Sequence, residues 1–413
     1  MEPNEEFIKE FKQSFVIPLE TKDKVISYIP KDSYGDLLSY IKFDELLITL
    51  AKNETDLSIE KKKKILRNYL NTKNVFSWYL DHQYEFNNIP YTSDSLEVIL
   101  PYNNKQYTPY IEAYFRWMSK LPSLLANKDN PTPISLASKA EVNEHEDEII
   151  KTLINELQSE ETFNALKKAT KAFHRSKRVM KKYVTNLLDV RANLLVIRLD
   201  LSFNKDHIEQ NEKKIAENKD KNFNKNFHQS GFTNEQHADA IKANMEDNEQ
   251  FKESLLADDL AAIKEYRAKF FRQIKARYDV TGFIWKLEYG GEKGFHYHCL
   301  IFLNGDDHQE DVNIAKDMGD MWKKITTDEV TNVTQGIYWN CNANKDTYKY
   351  PAIGKLHAND KEMIDNLYNY VITYFAKTDY YFKLAKSNDR AIGTGEKKTK
   401  VKSGRPRTKD SFR

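Results

Sequence analysis

The residues of this 413-residue chain best suited to chemistry are His296 and His298, set two apart in the run Phe295 to Leu303, with Glu288 a short way upstream. In an extended strand residues i and i+2 point the same way, so both imidazoles converge on one face. Phe295, Tyr297, Cys299, Ile301 and Leu303 then form the opposite, packed face. The preceding run has matching parity, with Phe283, Trp285, Leu287 and Tyr289 on one face and Ile284, Lys286 and Glu288 on the other. If Gly290 to Gly294 is a five-residue hairpin loop, Glu288 pairs across from His296 and a carboxylate joins the two imidazoles. A loop one residue shorter would turn Glu288 to the wrong face. Imidazole nitrogens in the middle of an apolar strand cost free energy unless satisfied, and a divalent cation is the partner imidazole suits best. The plainer alternative is a structural histidine pair held by hydrogen bonds.

A second group lies in Asp365 to Lys377, which reads as part of a helix over Lys361 to Lys377. Tyr370 and Tyr374, spaced i and i+4, share a helical face, with Lys377 one turn beyond Tyr374. A phenol has a solution pKa near ~10, so a tyrosine nucleophile needs a cation beside it, and Lys377 or a metal would serve. Met363, Leu367, Tyr370, Val371 and Tyr374 also make an ordinary core stripe. The third group is basic: Lys167 to Lys182, containing Arg175, Lys177 and Arg178, and the tail beyond Lys397, containing Arg405 and Arg407. Each of these also reads as a solvated helix face or a solubilising tail.

These residues need a scaffold. Asn193 to Phe203 alternates cleanly, with Leu195, Ile197, Leu199, Leu201 and Phe203 on one face and Arg198, Asp200 and Ser202 on the other. Three strands, 193 to 203, 283 to 289 and 295 to 303, therefore each present one apolar face and one polar face. The expected fold is α+β: an antiparallel sheet with helices packed on one face and an open active-site face. Glu144 to Leu188 supplies one or two amphipathic helices, Phe251 to Tyr278 a helix behind the sheet, Val312 to Thr326 a helix with Trp322 on its apolar side, and Val333 to Asn340 a further strand. Lys205 to Asn248 is a polar excursion, either mobile or a solvated helical hairpin.

The expected organisation is a mainly helical N-terminal domain over 1–125, a linker over 126–142 around Asn130-Pro131-Thr132-Pro133, a catalytic domain over 143–395 with an excursion at 205–250, and a flexible basic tail over 396–413. A formal net charge of +2, from 64 basic and 62 acidic residues, means that no bulk basicity marks a nucleic-acid partner, so the distribution of charge matters more than its sum. Cys299 and Cys341 are the only cysteines, which excludes a disulfide framework and a cysteine-only zinc site. With no apolar run of membrane-spanning length and an acidic start, the expectation is a cytoplasmic protein with no membrane partner.

A strand-borne His-x-His with a nearby acid, followed by a helix bearing Tyr370-x-x-x-Tyr374-x-x-Lys377, resembles the HUH endonucleases, the rolling-circle replication initiators. Tyr370 to Lys377 is similar to the two-tyrosine motif of the initiators of isometric single-stranded DNA phages, with Thr373 where those commonly carry a first lysine. Trp285 to Leu303, Tyr370 to Lys377 and Arg390-Ala391-Ile392-Gly393 together most resemble the inovirus Gp2 or YagK/YfjJ C-terminal family of phage and prophage replication proteins, over about 170 to 395. The resemblance implies an HUH-like nuclease fold and a tyrosine transesterification at a single-stranded DNA origin. In it, Tyr374, Tyr370 and Lys377 would be catalytic, and Glu288, His296 and His298 would hold Mg²⁺ or Mn²⁺ as a Lewis acid. The DNA contacts expected are Lys286, Arg198, Arg175, Lys177, Arg178, Arg405 and Arg407, and the partners are the origin strand, a host helicase and a DNA polymerase. Two other classes use the same residues: a metal-dependent phosphodiester hydrolase attacking with water, and a non-enzymatic DNA-binding regulator using only the basic segments.

Overall fold

The computed structural model describes residues 46–52, 57–58, 60–62, 64–65, 105–106, 109–114, 116–117, 146–227, 234–290, 294–348, 350–381, 383–384 and 390–397. The expected linker over 126–142, most of the expected N-terminal domain, and Arg405 and Arg407 of the tail lie outside these residues.

Two helices, α1 (Glu146–Leu157) and α2 (Glu160–Val190), lead into the first strand. Ser159 separates them and caps α2, its hydroxyl accepting from the backbone N–H of Thr162 at 3.2 Å while Glu160 and Glu161 sit in the positive first turn. Then come β1 (Asn193–Phe203), the helical pair α3 (Lys205–Phe227) and α4 (Asn234–Arg277), the hairpin β2 (Val280–Gly290) and β3 (Gly294–Asn304), α5 (Asp311–Ile325) and β4 (Gly336–Asn340). The chain continues through β5 (Gly354–His357), α6 (Lys361–Asn366), a π-helical turn at Leu367–Val371, α7 (Ile372–Tyr381) and β6 (Ile392–Thr394). The central sheet is antiparallel, in the order β4-β1-β3-β2-β6, with β5 sharing an edge of β1 with β4. Separately, Lys105–Gln106 pairs with Lys383–Leu384.

The polar stretch after β1 is a helical hairpin, and its second arm runs unbroken for 44 residues into the helix behind the sheet. Polar groups tie its arms together: Asn218 and Asn222 each donate to Asn248 Oδ1 at 2.9 Å, and His207 Nε2 and Asn211 Nδ2 meet the Asp259 carboxylate at 2.9 Å. Arms joined by amides and carboxylates need few apolar residues, which is why the stretch reads as polar in sequence.

The alternating residues of β1, β2 and β3 pack on one side against α4 and α5, where Ile263, Phe270, Ile274, Met318 and Trp322 are buried. The other face is not open, contrary to the expectation from the polar residues there. It is polar only at one end; at the other, Leu194, Val196, Ile284, Leu300 and Phe302 pack under Val184, Leu187 and Leu188 of α2 and Ile372, Phe375 and Ala376 of α7. A fully buried Leu or Phe stabilises by ~1.5–3 kcal/mol, and a surface ion pair by ~0–1 kcal/mol. The apolar end therefore fastens α2 and α7 over this face, and the charged end is roofed as a consequence. Short helical segments among residues 46–50 and 109–117 join the same core through Leu47, Leu50, Ile111 and Trp117, which pack with Ile150, Leu153 and Leu157 of α1.

Two local devices hold the sheet in register at the polar end. Between the stretches of β1 paired to β4 and to β5, the Asn342 side chain takes the place of a strand: its Oδ1 accepts from the Arg198 N–H at 2.8 Å and its Nδ2 donates to the Val196 carbonyl at 2.9 Å. At the other edge, β6 approaches β2 so closely that a Cβ on Gly393 would lie 2.3 Å from the Trp285 ring, so only glycine fits.

Candidate active site

The β2–β3 register pairs Glu288 with His296 as expected, but Gly290 and Gly294 also pair, so the strands run further than the expected five-residue loop allows and only 291–293 lie between them; the parity, and with it the face of Glu288, is unchanged. Gly294 takes φ +57, a conformation L side chains rarely adopt, and brings the chain back with His296 and His298 on the covered face. Across the sheet the residues form two rows. Ile337, Ser202, His296 and Glu288 are successive neighbours in one, and Trp339, Asp200, His298 and Lys286 in the next.

Both imidazoles are buried and both are oriented through Nδ1. His298 Nδ1 lies 2.6 Å from Asp200 Oδ1, and His296 Nδ1 lies 3.1 Å from the Gly294 carbonyl oxygen. With each Nδ1 so held, the two Nε2 atoms face a common point. These point toward one carboxylate oxygen, Glu288 Oε2, at 3.4 Å from His298 Nε2 and 3.7 Å from His296 Nε2. The three ligand atoms lie within 4.8 Å of one another. Glu288 Oε1 is buried and has no hydrogen-bond partner among the described residues, a cost that a cation at this position would remove. The residues therefore fit a divalent metal by donor type, convergence and the unsatisfied oxygen. The motif spacing alone does not single out Asp200; its signal in the sequence is an acid in an apolar strand with the parity of Arg198 and Ser202.

The electrostatics are those of a tightly coupled group. Burial opposes the charge on Glu288, but His298 and His296 outweigh it and hold the carboxyl well below its ordinary range. Burial likewise disfavours protonated His298, but Asp200 and Glu288 outweigh it and raise its pKa to about 9. Cation-stabilising charge is thus concentrated where the three donors meet.

The tyrosine helix lies over this group. The Tyr374 hydroxyl is 3.4 Å from His298 Nε2, its ring is edge-on to that imidazole, and the Arg198 guanidinium sits 5.8 Å from the ring centre. Burial, with Glu288 nearby, pushes the Tyr374 phenol well above its ordinary value, and Arg198 opposes that only in part. Tyr370 takes other partners. Expected on a continuous α-helix, it instead lies in the π turn Leu367–Val371, stacked on Tyr350 with ring centres 4.0 Å apart, lining a cavity with Arg198, Tyr348 and Ile353. The wide turn is marked by the Ile372 N–H donating to the Leu367 carbonyl and by Thr373 Oγ1 donating to the Tyr368 carbonyl at 3.1 Å. Thr373 is thus buried within the helix packing. Lys377 lies in α7, and its side chain is outside the described residues.

The residues expected to contact DNA separate into two groups. Lys286 is 1% exposed and Arg198 5% exposed; Lys286 pairs with His298 on the covered face, Arg198 lies by the Tyr374 ring of α7, and both belong to the interior of the site, not to a surface. The covering of this face is the physical reason. On α2, Lys177 is buried with its ammonium 5.9 Å from the Phe173 ring centre, whereas Arg175 and Arg178 are exposed. With Lys167, Lys171 and Lys182 they make an exposed stripe, and no acidic residue interrupts it between Glu161 and Asp189. The helix is joined to the tyrosine segment by Thr185 Oγ1 and the Tyr368 hydroxyl at 2.8 Å, and by Lys181 Nζ donating to Asn369 Oδ1 at 3.3 Å. No described helix is long and apolar enough to cross a membrane.

Fold and site together define an α+β protein whose antiparallel sheet carries a buried carboxylate–dihistidine group able to hold a metal ion. Residues 158–395 match the YagK/YfjJ C-terminal domain family, and since that is more than half of the chain, the protein belongs to this family, as its motifs anticipated. No curated protein and no solved structure matches the chain.

Proposed function

We propose that this chain is a single-stranded DNA endonuclease and strand transferase that initiates rolling-circle replication of a phage, prophage or plasmid. The observation that carries the reading is the Tyr374 hydroxyl aimed at the buried Glu288, His296 and His298 group, 3.4 Å from His298 Nε2. Glu288 Oε2 and the two Nε2 atoms would hold a divalent cation, Mg²⁺ or Mn²⁺ by the mixed oxygen and nitrogen set. When bound, such an ion neutralises the non-bridging oxygens of a phosphodiester and favours the phenolate.

This chain's own residues account for the rest. Asp200 and the Gly294 carbonyl hold the imidazoles in orientation. Tyr374, kept protonated by burial until a cation and the DNA are present, gives its proton to water, and its oxygen attacks phosphorus. The bond to the 3′ oxygen breaks, that oxygen takes up a proton, and the 5′-phosphate stays on the tyrosine. Because the new ester conserves the old one, return to a 3′-hydroxyl needs no nucleotide cofactor. Tyr370, held apart on Tyr350, serves the second transfer or the packing of the π turn.

Incubation with single-stranded DNA and Mn²⁺, followed by a denaturing gel, tests the reading. A covalent adduct is expected from the wild type, and none from His298→Ala or Tyr374→Phe, while Tyr370→Phe retains first-strand nicking. Peptide mapping should find the DNA remnant on Tyr374; free cleaved product with no adduct would mean hydrolysis by water, and unchanged DNA a binding protein without this activity.

A further inference from the structure

Four of the large apolar residues exposed in the described structure, Val330, Val333, Ile337 and Trp339, fall within ten residues of one another, on and just before the edge strand β4. Ile337 is 48% and Trp339 47% exposed. Single exposed apolar residues need no explanation, but an aromatic and an aliphatic side chain adjacent on one face of an edge strand form a surface. Their orientation is fixed by the residue between them. Tyr338 packs on the opposite face over Gly319 of α5, where a Cβ would come within 2.2 Å of its ring, and its hydroxyl donates to Asp320 Oδ1 at 3.2 Å. Ile337 and Trp339 therefore lie on the face that carries the metal ligands.

Trp339 is paired with Asp200, and Asp200 with His298, so the indole stands two strands from a proposed metal ligand in the same cross-sheet row. At the spacing of paired strands that is about 10 Å, comparable to the reach from a scissile phosphate to a neighbouring base. The ground between them bears Asp200 and Ser202, which offer no cation to a phosphate. An apolar, aromatic surface beside an acid suits a neutral ring with a π face, and every nucleobase has one. One nucleotide strand running along this cross-sheet row would meet both the indole and the phosphate site.

We infer that Trp339, with Ile337 beside it, is a stacking platform for a nucleobase of the substrate strand next to the phosphate held at Glu288, His296 and His298. The inference rests on the proposed endonuclease reading and adds a binding surface on β4.

The test is binding, measured by fluorescence anisotropy with a labelled mixed-sequence single-stranded oligonucleotide and Mn²⁺. It uses the full chain carrying Tyr374→Phe so that no cleavage intervenes. Adding Trp339→Ala should weaken binding about tenfold, while Trp339→Phe keeps most of the affinity. The slope of log affinity against log salt should not change, because stacking displaces no counterions. DNA should also quench part of the tryptophan fluorescence of the parent, and that part should be missing from the Trp339→Phe protein, which gives a readout even if the alanine variant folds poorly. Equal affinities with equal quenching would overturn the platform while leaving the endonuclease reading intact. A fall in oligomeric state on Trp339→Ala, with DNA affinity retained, would assign the surface to a protein contact instead. A parent that binds no single-stranded DNA would overturn the platform and the endonuclease reading together.

Discussion

Asp200 would act on the proposed metal group through His298. Its carboxylate accepts from Nδ1 at 2.6 Å, which fixes the ring and leaves Nε2 to face Glu288. Carboxylates in this position typically govern metal affinity by about 10- to 100-fold. Asp200→Ala is therefore expected to weaken Mn²⁺ binding by that factor in calorimetry, with Asp200→Asn recovering part of it. The same cluster sets a pH signature for chelator-treated protein. The pKa of His298 rises from 6.5 to about 9 on folding, so its contribution to stability is fully present below about 6.5 and is lost as pH climbs through 9. Glu288, whose folded pKa is depressed, contributes above its ordinary 4.5 and loses that contribution as pH falls through its folded value. Thermal melts of chelator-treated protein should show stability falling between pH 6.5 and 9, and His298→Ala should remove that slope. A wild-type curve flat across this interval would mean that His298 does not carry the charge.

At the scale of elements, the site depends on pieces that bridge irregularities. Asn342 joins the gap between β4 and β5 on the edge of β1, and its amide also donates to Asp311 Oδ2 at 2.9 Å, where Lys345 pairs with the same carboxylate. Replacing it with Ala strands the Arg198 N–H and the Val196 carbonyl in a buried strand, and an unsatisfied buried group costs ~1–3 kcal/mol. Asn342→Ala should lose about 3 kcal/mol in denaturant titration. The π turn is the second such piece. Periodicity places Tyr370 and Tyr374 on one α-helical face, but the wider turn at Leu367–Val371 gives Tyr370 to Tyr350 and leaves Tyr374 with His298. π turns of this kind occur frequently at functional sites.

Over the whole molecule, charge and covering divide the labour. Lys286 and Arg198 are enclosed in the interior of the site, so contact with a DNA backbone is expected from the outer stripe of α2. Each phosphate contact released on a single strand lowers the salt slope by about 0.7. Arg175→Ala combined with Arg178→Ala should therefore flatten the dependence of single-stranded DNA affinity on salt by about 1.4, measured by anisotropy across a salt series. Loss of affinity without a change of slope would place these arginines outside the phosphate path. Truncation after Gly395 examines the basic tail in the same way.

Much of the frame was legible along the chain because period-2 alternation is a local property. It set strands at 193–203, 283–289 and 295–303, the last two of which the structure extends to Val280–Gly290 and Gly294–Asn304, the faces of their side chains, and the pairing of Glu288 with His296. Trp322 on the buried side of α5 followed from helical periodicity alone. Three features depended on which elements meet across long separations. Asp200 reaches His298 only because β1 pairs with β3 in one particular register, 98 residues apart. The polar face is roofed because Leu194, Val196, Leu300 and Phe302 share its parity, and their burial draws α2 and α7 across the charged end. Tyr370 parts from Tyr374 because packing selects a π turn that no residue spacing announces. Alternation assigns a side chain to a face; only the assembled sheet and its helices decide what stands on the other side of it.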